Sequence, residues 1–87
     1  MTYERKTTAN DISYALLQGD FRKATRDEQN GFGGCEGECW LWENGDEIIV
    51  ADFHNFSARI EITATVDEGT QRAWLLNPFT KEFRQII

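Results

Sequence analysis

Few side chains in this 87-residue chain are able to do chemistry. Cys35 and Cys39 bracket Glu36-Gly37-Glu38 inside the run NGFGGCEGECWLW, and His54 is the one histidine. A structural zinc site needs four ligands, usually Cys or His. Two cysteines and one histidine fall short of that unless carboxylates complete the set. Negative neighbours disfavour a reactive thiolate, and Glu36 and Glu38 are such neighbours. A disulfide across the loop would need an oxidising compartment. Gly31, Gly33, Gly34 and Gly37 lack the Gly-Lys-Ser/Thr ending of a phosphate loop, and no helix signal follows them. They read as a turn-rich connection. His54 follows Asp52 by two residues, on the same face of a strand, where a carboxylate can orient the ring. No nucleophile is placed beside it by spacing. The chain is therefore read as a non-enzyme, with no catalytic residue, cofactor or metal assigned.

Charge is the more informative pattern. The net charge is −6, but residues 27–68 hold eleven acids and one base, Arg59. The two ends are mildly basic, and Arg22, Lys23 and Arg26 form the one local basic cluster. No positive side chain occurs between Asp27 and Ala58. This argues against direct nucleic-acid binding, which needs clustered Lys and Arg. A field of one sign attracts the opposite surface and speeds encounter with it. Glu36, Glu38, Glu43, Asp46, Glu47 and Asp52 are the candidate contact acids, with Trp40 and Trp42 as candidate anchors. Large aromatics usually build a small core, but an exposed pair would mark a partner surface.

The elements that carry these residues are legible by period. Residues 8–18 read as a helix, with Thr8 or Asn10 as cap, Ile12, Ala15 and Leu16 on one face and Gly19 as the stop. Residues 20–28 suit a second helix or an edge strand, and composition favours helix. From Cys39 the period becomes two. Strands are expected over 39–43, 47–53, 57–66, 70–76 and 81–87. The turns between them fall at 44–45, 54–56, 67–69 and 77–80. Asn44-Gly45 is a two-residue hairpin signal, which would set Leu41 opposite Ile48 and Trp40 opposite Ile49. Ile60, Ile62 and Ala64 face one way along the third strand; Glu61, Thr63 and Thr65 face the other. The expected fold class is α+β: an N-terminal helix, with a second as an option, on a roughly five-stranded antiparallel meander forming one small domain.

No run is long and apolar enough to span a membrane, and no apolar signal region follows Met1, so a cytoplasmic protein is expected. The profile is small, acidic and without a catalytic constellation. It is similar to that of phage and mobile-element inhibitors of host restriction or CRISPR machinery. The implied partner is a basic, nucleic-acid-binding protein surface. The alternative is a structural protein that forms a homodimer through its sheet.

Overall fold

A computed structural model describes residues 6–31, 37–54, 59–65 and 70–87. Helix α1 (Ala9–Gln18) starts at a reciprocal cap. The Thr8 hydroxyl accepts from the Asp11 N–H at 3.2 Å, and the Asp11 carboxylate accepts from the Thr8 N–H at 2.9 Å. Two N–H groups that a helix start leaves open are thereby satisfied. The helix ends at Gly19, whose φ of 74° is left-handed. The Gly19 and Asp20 N–H groups bond back to Leu16 and Ala15, the Schellman arrangement that glycine permits. Ile12 and Ala15 are buried, and Tyr14 and Leu17 point outward.

Residues 20–28 do not form the continuous helix that composition favours. They divide into a two-residue strand, β1 (Arg22–Lys23), and the start of a short helix, α2 (Arg26–Gly31). A second reciprocal cap explains the break. The Glu28 N–H donates to the Thr25 hydroxyl at 3.2 Å, and the Thr25 N–H donates to the Glu28 carboxylate at 2.9 Å. Helix therefore begins at Arg26, and the residues before Thr25 are free to pair with a strand. Phe21 and Ala24 both point inward, as expected, but into different clusters on opposite sheet faces.

The sheet is antiparallel, six-stranded and in sequence order: β1, β2 (Glu38–Asn44), β3 (Glu47–Phe53), β4 (Ile60–Thr65), β5 (Thr70–Leu76) and β6 (Phe83–Gln85). The strand beyond the expected five is β1. It gives the sheet a short, charged edge, which discourages further pairing. The expected turns 54–56 and 67–69 lie wholly or mostly outside the described residues, as does Cys35.

The β2–β3 hairpin differs in register from the expectation. Its loop is Gly45-Asp46, so that Asn44 pairs with Glu47, Leu41 with Val50 and Trp40 with Ala51. Gly45 alone has positive φ there, 63°, as a type II′ loop requires of its first central residue. Asn44 is held in the strand because its side-chain amide donates to the Thr7 hydroxyl at 2.8 Å. The slip is two residues, so every side chain keeps its expected face.

α1 covers one face, where Ile12 and Ala15 meet Ile49, Ala51, Ile62, Ala64 and Trp74. The opposite face carries a smaller cluster of Ala24, Cys39, Leu41 and Val50. Both faces of the β2–β3 hairpin are thus covered. No helix among the described residues is long and apolar enough to cross a membrane.

Candidate functional site

Strand β3 carries an acid near each end, and the two are treated in opposite ways. Glu47 lies on the helix face and is buried. Its carboxylate accepts the Thr7 N–H at 2.6 Å and the Arg72 guanidinium through the other oxygen. Arg72 also donates to the Thr7 carbonyl and lies over the Trp74 ring, 5.2 Å from its centroid. Burial alone would push the Glu47 carboxyl up. The Thr7 N–H and Arg72 outweigh it and hold the group below the ordinary carboxylate range. Glu47, one of the candidate contact acids, is therefore committed inside the fold, where it ties the chain before α1 to β3 and β5.

Asp52 lies at the other end of β3, on the opposite face. It pairs across the sheet with Glu61 of β4. His54, just past β3, brings its Nε2 to 3.6 Å from Asp52 Oδ2 and 3.3 Å from Glu61 Oε1. The imidazole is buried, with 6% of its side-chain surface exposed, whereas Glu61 is 43% exposed. Asp52 Oδ1 accepts the Gly37 N–H at 3.0 Å, which leaves Oδ2 turned to the ring. Glycine is required at position 37, because a Cβ there would stand 1.8 Å from the Phe53 carbonyl oxygen. Arg59 approaches Glu61 from solvent at 3.6 Å.

The remaining candidate acids do not form one patch. Glu38 and Glu43 lie on opposite faces of β2, by the strand's alternation. Both are exposed, as is Asp46 in the loop. Glu36 falls outside the described residues. One member of the basic cluster, Arg22, is brought beside one of these acids, Glu43. Arg22 binds Glu28 through both guanidinium nitrogens, at 2.8 and 2.6 Å, and stands 4.0 Å from Glu43. Arg22 and the Thr25 N–H together lower the Glu28 pKa to about 2.

Trp40 and Trp42 are half-buried on the helix face. Trp42 packs against Phe21 at 5.7 Å between ring centroids, and Trp40 meets Phe53 edge-on at 6.3 Å. An open, largely apolar groove of about 280 Å³ runs past Trp40 between the end of α1 and the strands, lined by Leu16, Gly19, Phe21, Glu38, Trp40 and Phe53. Glu38 forms its polar lip and accepts the Trp40 indole N–H at 3.2 Å.

Compared with protein-family models, curated proteins and solved structures, the chain matches none of them.

Three residues that matter here escape sequence reasoning. Arg72 and Glu61 become partners of Glu47 and His54 only through strand register, which depends on loop lengths. Thr25 had a readable signal: Thr-Arg-Asp-Glu over residues 25–28 is a capping-box pattern, and it marks the helix start that divides the segment.

Proposed function

We propose that this is a small, acidic, non-enzymatic binding protein that occupies a basic site on a partner protein, of the kind that otherwise holds nucleic acid. The observation that carries the reading is the apolar groove with Glu38 at its lip. Lys and Arg pair an aliphatic stem with a charged head. Such a side chain would lay its stem against Trp40, Phe21 and Leu16 and its head on Glu38. The exposed Glu43 and Asp46 at the hairpin tip add to the field that draws a basic surface in. Glu47 and Asp52 leave the contact set, since each is engaged within the fold. The acidic inhibitors of restriction and CRISPR machinery are the protein type with this profile, and a cytoplasmic location goes with it.

The test is capture from a cell lysate on the immobilised protein at low and at high salt. A basic, nucleic-acid-binding partner recovered at low salt and released at high salt supports the reading. Failure to recover any basic protein at low salt refutes it.

A second reading, a homodimer formed through the sheet, is favoured by the exposed side chains around β6. Phe79, Ile86 and Ile87 are 80%, 49% and 62% exposed. Size-exclusion chromatography with light scattering separates the two readings: a dimer that survives high salt supports this second one.

A further inference from the structure

The two carboxylates of Asp52 and Glu61 face each other directly across β3 and β4. Like charges in that position repel, so a cation held between them would be stabilised by both. Arg59 stands 3.6 Å from Glu61 Oε1, the oxygen that also faces His54, so a bound ion would displace this half-exposed guanidinium from it. Between both acids stands the His54 imidazole, which is a cation only when protonated and is a metal ligand when neutral.

From this arrangement we propose that Asp52, His54 and Glu61 form a binding site for a divalent transition-metal ion, Zn²⁺ being the reference case. Ligand atoms about 2.0–2.2 Å from a tetrahedral ion stand roughly 3.3–3.6 Å from one another. The two separations from His54 Nε2 are 3.3 and 3.6 Å, and the three ligand atoms all lie within 4.8 Å of one another. The donor set is one imidazole nitrogen and two carboxylate oxygens. Imidazole selects zinc and its neighbours over magnesium and calcium, which prefer oxygen alone.

The surroundings fit a metal site in two further ways. The Gly37 N–H holds Asp52 Oδ1 and so presets Oδ2 toward the ring, as outer-shell partners do. Glu61, with 43% of its side chain exposed, gives the ion an entry path and leaves room for water as a fourth ligand. The cluster lies on the sheet face opposite the Trp40 groove, so it stands or falls independently of the proposed binding function.

The test is titration of the tag-free protein with Zn²⁺, followed by calorimetry and by NMR of the imidazole. His54 is the one histidine, so its ring signals are unambiguous. The expected result is one ion per chain with a shift of the His54 Nε2 resonance. Glu61→Gln should weaken binding by at least about tenfold, the loss typical of even an outer-shell change. Cys35→Ser should leave it intact. Glu61 is partly exposed, so its variant tests the site without threatening the fold, and the wild-type ring signal needs no variant at all. Three results would overturn the proposal: imidazole signals that stay fixed at millimolar Zn²⁺, undiminished binding by Glu61→Gln, or loss of binding in Cys35→Ser.

Discussion

The two ends of strand β3 pose the same problem and solve it differently. Glu47 meets a permanent cation, Arg72, and a backbone N–H, with the carboxylate largely shielded from water by the chain before α1. Asp52 meets a second carboxylate, Glu61, and the imidazole of His54. The first arrangement is complete in itself and reads as structure. Among the described residues, the second sets two carboxylates against one fixed cation, Arg59, and reads as a place for a ligand. Acid count along the chain does not separate them; the identity of the cross-strand neighbour does.

Breaking the closed end should give the largest effect. Arg72→Ala strands the Glu47 carboxylate in a buried site, which typically costs about 3–5 kcal/mol. Urea denaturation at neutral pH reads this as a lower midpoint. Loss of under about 1 kcal/mol would mean that Glu47 is solvated after all.

Gly37→Ala comes next. Its Cβ would meet the Phe53 carbonyl oxygen at 1.8 Å, so the entry to β2 must move away from the end of β3. Overpacking of this kind costs about 1–3 kcal/mol. The Gly37–Asp52 hydrogen bond should weaken with it, which amide hydrogen exchange at Gly37 would report as faster exchange. An unchanged rate and midpoint would count against the close approach.

The comparison is sharpest between two matched substitutions. Glu47→Gln should destabilise, because it removes the charge that Arg72 requires. Glu61→Gln should leave metal-free stability unchanged or raise it by up to about 1 kcal/mol, because it removes one of two facing like charges. Equal losses from the two, measured in the same denaturation series, would erase the distinction between the ends of β3.

The smallest effect is the pH dependence at Glu28. Its folded-state pKa is held at about 2, below the ordinary value of 4.5, by Arg22 and Thr25. A depressed carboxyl contributes stability that is present above its unfolded value and is lost as pH falls through its folded value. The loss therefore runs from about pH 4.5 down to about 2, and Glu47, also depressed, adds to it with the same sign. Arg22→Gln should flatten the Glu28 part of the slope while leaving the Glu47 part. An acid-unfolding profile identical to the wild type would contradict the Arg22–Glu28 pairing.

Much of the fold was legible because short-range rules decide it. Thr8 and Gly19 mark both ends of α1, and period-two alternation assigns Ile60, Ile62 and Ala64 to the core face. Failures came where a local preference met a tertiary or competing local contact. Asn44-Gly45 is a strong turn signal, but Asn44 is recruited by Thr7 from before α1, and the loop moves on to Gly45-Asp46. Arg22 and Lys23 favour helix by composition, yet the Thr25 cap frees them to pair with β2. Two of the three residues of the candidate metal site were visible, since Asp52 and His54 share a strand face by spacing alone. Glu61 was not, because the span from His54 to Arg59 has no length rule that fixes which β4 residue stands opposite Asp52. The spatial layout of the acidic field was not legible for the same reason: linear charge runs do not show that Arg22 folds back onto Glu28 and beside Glu43, or that Glu38 and Glu43 diverge to opposite faces.

The central functional claim is that Glu38, Glu43 and Asp46 draw a basic partner to the Trp40 groove. The most direct measurement is the association rate with the partner captured from lysate, across a salt series, for the wild type and for the Glu38→Gln/Glu43→Gln/Asp46→Gln variant. Steered association gains on the order of 10-fold or more at low salt and falls as salt rises. The account predicts that the variant loses about that factor at low salt and shows a flatter salt dependence. Equal rates and equal salt slopes for the two proteins would contradict it.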